Sequence, residues 1–192
     1  MEGAEPTPEA KVGQKSAVSV WAARVVFGIL GLSVAALGFA IFAGGEEVDL
    51  NPAFTAALAT TVLTEDGEST TFADALPEGP VVVNFYASWC GPCRAELPDF
   101  DEVSLRVEDQ VTFLGINVDQ SETTWRSFNE EIPVSYGTVF QPGSEIRMQL
   151  DLLAMPTTLF ISADGEIVQQ HGGILDDDSL IEILAEQFGA EV

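Results

Sequence analysis

Cys90 and Cys93 are the only cysteines among the 192 residues of the chain, and they lie within Trp-Cys-Gly-Pro-Cys at residues 89–93. A structural disulfide usually closes a long loop, because the entropy that it removes from the unfolded chain grows with loop length. A bond across two intervening residues closes almost none. Structural zinc usually needs four cysteine or histidine ligands, and the chain has one histidine, His171. The spacing therefore favours a reversible dithiol, with two ordinary buried thiols as the alternative.

A long apolar run precedes this motif. Residues 25–43, VVFGILGLSVAALGFAIFA, contain no charged side chain. As a helix they would span about 28 Å, close to the thickness of a bilayer core. The run exceeds the apolar core of a cleavable signal peptide, so we expect an uncleaved anchor, with cleavage after Gly45 as the alternative. Lys11, Lys15 and Arg24 precede it, and basic flanks stay in the cytoplasm. The N-terminus is therefore predicted to be cytoplasmic.

This orientation divides the chain into four predicted parts. A dithiol outside the cytosol has no thiol-reducing pool around it, so it needs its own electron supply. The predicted parts are a disordered cytoplasmic tail over residues 1–20, a transmembrane anchor over 21–43, a tether over 44–55 and an exported domain over 56–192.

The exported part is strongly acidic. The formal net charge of the whole chain is −24, and no lysine follows residue 15. Such a charge opposes binding to nucleic acid and to anionic lipid surfaces. Solubility or life in high salt explains it, and a basic partner is the alternative. The basic residues after the apolar run are Arg94, Arg106, Arg126 and Arg147.

Apolar segments alternate with turn signals from about residue 60. Thr61–Thr64 and Ser69–Phe72 flank Asp66-Gly67, which predicts a hairpin. Residues 81–86, VVVNFY, are almost wholly apolar, as expected for a buried central strand. This alternation predicts an α/β fold with a mixed sheet. The other predicted elements are strands at 111–118, 157–162 and 166–171 and helices at 91–108, 121–131 and 177–188.

The helix predicted over 91–108 contains two prolines. Pro92 falls in the first turn, where the missing N–H has no intrahelical partner to lose. Pro98 falls in the interior, where proline removes a hydrogen bond, so we predict a kink or a brief interruption there.

Two segments of the chain resemble a known family. VVVNFYASWCGPCRAELP at residues 81–98 and AMPTTLFISADGEIV at 154–168 are similar to thioredoxin-fold proteins, and to the membrane-anchored TlpA/ResA-like branch of exported thiol-disulfide oxidoreductases. The resemblance covers about residues 50–190. It implies a thioredoxin-like fold, in which helices flank a central mixed sheet that an N-terminal hairpin extends. It implies no cofactor besides the redox-active disulfide of Cys90 and Cys93.

The resemblance also implies roles for the motif residues. Cys90, at the start of a helix, is the exposed nucleophile, because unpaired N–H groups and the helix dipole lower the pKa of a thiol there. Cys93, one turn later and more buried, resolves the mixed disulfide. Gly91 and Pro92 form the active-site loop and are similar to the dipeptide of reducing thioredoxins.

An acidic residue lies close to the resolving cysteine in sequence. Glu96 follows Cys93 by three residues, which places both on one helical face. In the branch that the chain resembles, a glutamate here is a buried acid that tunes proton transfer at the thiols. Asn84 occupies the position where plain thioredoxins carry an aspartate. A solvated helix glutamate is the alternative for Glu96.

Three residues are expected to bind substrate. The resemblance implies a cis peptide bond before Pro156, which would bring the main chain of Met155 beside Cys90 to pair with an extended substrate segment. A trans proline at the start of a strand is the alternative. Trp89 is expected on the docking surface, with a packing role as the alternative. His171 receives no catalytic role.

The resemblance implies a single-pass membrane protein with its catalytic domain outside the cytoplasm, acting as a monomer that reduces protein disulfides. A membrane thiol transporter of the CcdA/DsbD kind would supply electrons, and apocytochrome c is a possible substrate, because its thiols must be reduced before haem attachment. A disulfide-forming oxidase has the same residues and the opposite electron flow. An exported thiol peroxidase and a redox-inactive binding module also stay open.

Overall fold

The structure is a computed structural model, and it describes residues 51–191. The predicted tail and anchor, residues 1–20 and 21–43, lie outside the described residues, as does most of the predicted tether. Between residues 51 and 191, no helix has both the length and the apolar character that crossing a membrane requires.

The described chain alternates short strands and helices. The helices are α1 (Pro52–Leu58), α2 (Phe72–Ala75), α3 (Gly91–Arg106), α4 (Glu122–Glu131), α5 (Glu145–Gln149) and α6 (Asp177–Phe188), with a 3-10 turn at Pro142–Ser144 before α5. The strands are β1 (Thr61–Thr64), β2 (Ser69–Thr71), β3 (Val81–Tyr86), β4 (Thr112–Asn117), β5 (Gly137–Phe140), β6 (Thr157–Ile161) and β7 (Ile167–Gly172).

All seven of these strands form one mixed sheet, in the order β2-β1-β5-β4-β3-β6-β7. β3, β4 and β5 are parallel, whereas β6 pairs antiparallel with β3 and β7 with β6. The β1–β2 hairpin extends the sheet, because β1 pairs antiparallel with β5. The predicted thioredoxin-like arrangement with a hairpin extension is therefore confirmed for the described residues.

The central strand β3 is buried along its whole length, as its apolar sequence predicted. Its successive side chains point to opposite faces of the sheet. Val82 belongs to an apolar cluster that contains residues of α3 and α6, such as Phe100 and Leu180. Val83 belongs to a second cluster that includes Phe54 of α1 and Trp125 of α4. Cys90 and Cys93 thus follow a strand that packs against apolar side chains on both of its faces.

Two local features differ from the predictions. Of the two outcomes predicted at Pro98, a kink or a brief interruption, the interruption is absent, because α3 continues from Gly91 to Arg106 with Pro98 inside it. Buried Leu97 and Phe100 on either side attach this part of the helix to the core. The folded domain also begins earlier than residue 56. Helix α1 starts at Pro52, inside the predicted tether, and Phe54 is buried in the core.

Candidate active site

Cys90 and Cys93 form a disulfide at the point where the chain leaves β3 and enters α3. Cys90 is the N-terminal cap of α3, and its Sγ accepts a hydrogen bond from the N–H of Cys93 at 3.2 Å. Gly91 and Pro92 form the first residues of the helix. The positive end of the helix dipole therefore faces Cys90 Sγ, a position that stabilises a thiolate after reduction.

The two cysteines differ little in exposure. Cys93 is fully buried and Cys90 is 4% exposed, because both belong to the apolar cluster that contains Val83. The order agrees with the prediction that Cys93 is the more buried. The prediction that Cys90 is an exposed nucleophile is corrected, since the disulfide form leaves only a small part of Cys90 accessible. Attack on this disulfide must therefore come from the side where Cys90 reaches the surface.

Glu96 lies one turn after Cys93 and is fully buried. Its Oε1 accepts a hydrogen bond from Asn84 Nδ2 at 2.8 Å, and its Oε2 accepts one from the N–H of Leu175 at 3.1 Å. Burial raises the pKa of the Glu96 carboxyl from 4.5 to about 7, although both hydrogen bonds act in the opposite direction. Glu96 is thus not a solvated helix glutamate. A carboxyl with this pKa can take up or release a proton near neutral pH.

Asn84 joins Glu96 to the neighbouring strand. Its Nδ2 also lies 3.3 Å from Thr158 Oγ1, and Asn84 and Thr158 face each other in the register of β3 and β6. Asn84 Oδ1 is buried and has no hydrogen-bond donor within the described residues. Sequence reasoning missed Thr158, and its position two residues after Pro156 was the available signal.

Glu96→Gln should change how stability depends on pH. The folded state keeps the Glu96 proton until about pH 7, whereas the unfolded chain releases it near pH 4.5. The free energy of unfolding is therefore highest below about pH 4.5, where Glu96 is protonated in both states. It falls as the pH rises from 4.5 to about 7, where only the unfolded chain has released the proton. Relative to Glu96→Gln, the natural chain should lose about 3 kcal/mol of unfolding free energy between pH 4 and pH 8, measured by urea denaturation. Glu102→Gln, exposed on the same helix, is the matched control. A pH-independent difference would contradict the assignment.

The loop before β6 carries the predicted cis peptide bond, between Met155 and Pro156. β6 runs antiparallel to β3, so its first residues lie at the edge of the sheet where Cys90 follows β3. The main chain of Met155 makes no hydrogen bond to the main chain of residues 51–191, which leaves it free to pair with another polypeptide. The alternative of a trans proline is excluded.

Trp89 lies on the surface, with 61% of its area exposed beside a nearly buried disulfide. An indole that packed in the core would be covered, so the packing role is excluded. His171 lies on β7 opposite Thr158 in the strand register and is partly buried. The structure therefore leaves Trp89 as an available contact and adds no catalytic contact for His171.

Asp119 is a residue of this site that sequence reasoning missed. It is buried two residues after the end of β4, and its carboxylate accepts hydrogen bonds from the N–H and Oγ of Ser88 at 3.0 and 2.9 Å. Asn117 Nδ2 donates to the same carboxylate at 3.1 Å. These bonds tie the end of β4 to the segment that precedes Cys90. Its signal in the sequence was an aspartate immediately after an apolar strand.

Comparisons with known proteins agree with this geometry. Residues 49–170 match the model of the AhpC/TSA family. The thiol-disulfide oxidoreductase ResA of Bacillus subtilis is 26% identical over 160 residues, which are 80% of this chain and 86% of that protein. The ResA proteins of Oceanobacillus iheyensis and of Bacillus thuringiensis are 30% and 25% identical over 52% and 54% of this chain. The matches span only 53% and 61% of the length of these two relatives.

Solved structures show the same fold. A putative thiol:disulfide interchange protein DsbE from Chlorobium tepidum superposes with a TM-score of 0.59 at 25% identity, over 67% of this chain and 93% of that one. StoA from Bacillus subtilis superposes with a TM-score of 0.54 at 22% identity, over 66% and 97%. With more than half of its residues matched by the family model, the chain belongs to the AhpC/TSA family and is a TlpA/ResA-like protein with a thioredoxin fold.

Proposed function

We propose that this protein is a thiol-disulfide oxidoreductase that reduces protein disulfides through Cys90 and Cys93. The observation that carries the proposal is the Cys90–Cys93 disulfide at the start of α3, with the buried carboxyl of Glu96 one turn further along. The name that three of the relatives share, thiol-disulfide oxidoreductase ResA, supports the same reaction class.

The reaction consists of two thiol–disulfide exchanges. In the reduced protein, the Cys90 thiolate attacks one sulfur of the substrate disulfide, that S–S bond breaks, and the other substrate sulfur leaves as a thiolate. The Cys93 thiolate then attacks Cys90 Sγ in the mixed disulfide and releases the second substrate thiolate. Two electrons pass from the protein dithiol to the substrate, and the Cys90–Cys93 disulfide remains. Nucleophilicity requires the thiolate form at each attack.

Glu96 is placed to handle the proton of the buried thiol. Cys93 has no access to water, since it is fully buried, so its proton needs an acceptor inside the protein. Glu96 lies three residues away on the same helical face, and burial raises the pKa of its carboxyl to about 7. It can therefore accept the Cys93 proton as that thiol becomes the attacking group, and lose it again at neutral pH.

The same proposal includes a location and partners. Residues 21–43 anchor the chain in the cell membrane with the N-terminus cytoplasmic, and the catalytic domain lies on the other side. The absence of charge from residues 25–43 and the basic residues before them support this topology. A membrane thiol transporter of the CcdA/DsbD kind returns the disulfide to the dithiol. Apocytochrome c is the proposed substrate class, because its thiols must be reduced before haem attachment.

The opposite electron flow, disulfide formation, is the second candidate, because it uses the same residues. Gly91-Pro92 between the cysteines supports the reducing direction. The reduction potential separates the two, since it is about −270 mV for thioredoxin and about −120 mV for a strongly oxidising relative. We expect this protein near the lower value. Equilibrating the full chain with glutathione buffers of known ratio, and quantifying the dithiol by alkylation, measures it.

Reduction of insulin tests the function directly. The full chain in detergent, with dithiothreitol as electron source, should accelerate precipitation of the insulin B chain over the background with dithiothreitol alone. Protein that has been reduced and then alkylated with iodoacetamide is the matched control and should be inactive. Faster consumption of hydrogen peroxide than of insulin disulfides would favour the peroxidase. No turnover of either substrate would favour the redox-inactive binding module.

A further inference from the structure

One arginine holds the segment that leads into the cis proline. We call residues 152–155 the proline loop. Arg147 of α5 donates from Nη2 to the carbonyl oxygen of Leu152 at 2.9 Å, and the same nitrogen lies 3.5 Å from the carbonyl oxygen of Ala154. The carbonyl oxygen of Arg147 in turn accepts a hydrogen bond from the N–H of Leu152 at 2.9 Å. Both the side chain and the main chain of Arg147 therefore fix this loop.

These contacts are unusual for an arginine in so acidic a domain. Arg94 pairs with the Glu131 carboxylate and Arg126 with that of Glu122, each at 2.8 Å. Within residues 51–191, Arg147 forms no salt bridge, and its Nε is buried without a hydrogen-bond acceptor. A planar guanidinium holds neighbouring acceptors in a fixed geometry, which a flexible ammonium group does less well. The hydrogen bonds of the Arg147 side chain are thus made to the main chain of the proline loop and not to a carboxylate.

The remaining contacts restrict the loop from its other side. The carbonyl oxygen of Ala154 also accepts a hydrogen bond from Thr157 Oγ1 at 2.9 Å. A Cβ added to Gly172, at the end of β7, would lie 3.3 Å from Ala154 Cβ, so strand and loop are in close contact there. Leu152 is buried, whereas its neighbour Leu153 is 86% exposed. Leu152 therefore anchors the start of the loop in the core, whereas Leu153 and Ala154 are exposed to solvent.

We propose that Arg147 is a positioning residue for protein substrates. By fixing the proline loop, it holds the main chain of Met155 in the orientation that an extended substrate segment pairs with while its disulfide reacts at Cys90. This inference rests on the proposed function. A small disulfide has no polypeptide segment to pair with Met155, so its reduction does not depend on Arg147.

Two substitutions at Arg147 and two substrates test this role. Arg147→Met keeps a long side chain without donors, and Arg147→Lys keeps the charge and part of the donor capacity. We expect Arg147→Met to raise the KM for insulin about tenfold, because small misplacements of a bound segment are costly, and Arg147→Lys to recover part of the loss. The rate with hydroxyethyl disulfide should stay within about twofold, and so should the equilibrium constant with glutathione that gives the reduction potential. Arg106→Met, at an exposed position in α3, is the matched control for lost charge.

Hydrogen exchange supplies a second measurement on the same full-length variants. The amide of Leu152, which within the proline loop is the one that donates a main-chain hydrogen bond, should exchange faster in Arg147→Met, while those of β6 remain protected. Equal losses with insulin and hydroxyethyl disulfide would overturn the inference, and so would unchanged kinetics with both substrates or unchanged exchange in the loop. Failure of the proposed function is distinguishable, because the unsubstituted chain would then fail to reduce insulin, whatever its rate with hydroxyethyl disulfide.

Discussion

The full chain carrying Cys90→Ser is expected to reduce insulin no faster than the uncatalysed background, whereas Cys93→Ala is expected to complete the first exchange and stop. Cys90 caps α3 and is the cysteine that reaches the surface, while Cys93 is fully buried. Without Cys93, nothing resolves the mixed disulfide at Cys90. The Cys93→Ala chain should therefore accumulate disulfide-linked partners, which non-reducing electrophoresis detects and dithiothreitol releases.

The trapped species also identify the substrates. Mass spectrometry of partners released from Cys93→Ala in the native cells should recover apocytochrome c if the protein acts in cytochrome c maturation. The double variant Cys90→Ser/Cys93→Ala is the matched control and should trap nothing. Substrates bound to Cys90→Ser through Cys93 would reverse the roles of the two cysteines. A complete absence of trapped proteins would remove the support for a protein substrate.

Asn84→Asp is expected to destabilise the domain strongly at alkaline pH. Asn84 Nδ2 lies 2.8 Å from Glu96 Oε1, so the substitution would place two buried carboxyl groups in contact. Two like charges at this distance cannot both remain ionised, and the pair would retain a proton to high pH in the folded state. The unfolded chain releases both protons at acidic pH. Stability should therefore fall as pH rises, by about 1.5 kcal/mol more than in the natural chain between pH 5 and pH 8, because the pair keeps its proton across the whole interval whereas Glu96 alone releases it near pH 7.

Denaturant unfolding at both pH values measures this loss. Asn84→Ala is the control, since it removes the hydrogen bonds to Glu96 and Thr158 without adding a charge. Because the lost hydrogen bond lowers the pKa of Glu96 in the natural chain, the stability of Asn84→Ala should depend on pH somewhat more than that of the natural chain and clearly less than that of Asn84→Asp. If Asn84→Asp loses the same amount at pH 5 and pH 8, repulsion between the two carboxyl groups is not the cause.

Local patterns in the sequence predicted the part of the site that lies within one strand and one helix. The apolar run 81–86 predicted β3, Pro92 predicted the start of α3, and the spacing of three residues placed Glu96 on the face of Cys93. Each of these depends on neighbours in the chain, where the period of a strand or helix fixes the geometry. The structure describes them within two residues of the predicted bounds.

Local sequence patterns could not predict the contacts between residues that are far apart in the sequence. The partners of Glu96 and Asn84 include Leu175 and Thr158, which are separated from them by 79 and 74 residues. Asp119 lies 31 residues from the Ser88 that it holds. Strand register and loop packing bring these groups together, and neither leaves a short-range pattern. Helix α1 was missed for another reason, because its seven residues are too short to show a helical period.

The burial of β3 has a consequence for how such a protein can diversify. This strand has a hydrogen-bonded neighbour on each side and six buried side chains, so it belongs to the part of the domain that opens last. Exposed apolar side chains that other molecules could contact, such as Trp89 and Leu153, lie outside it. Chemistry and partner choice are therefore separable, and new specificities can be engineered into the surface loops while the redox centre keeps its geometry.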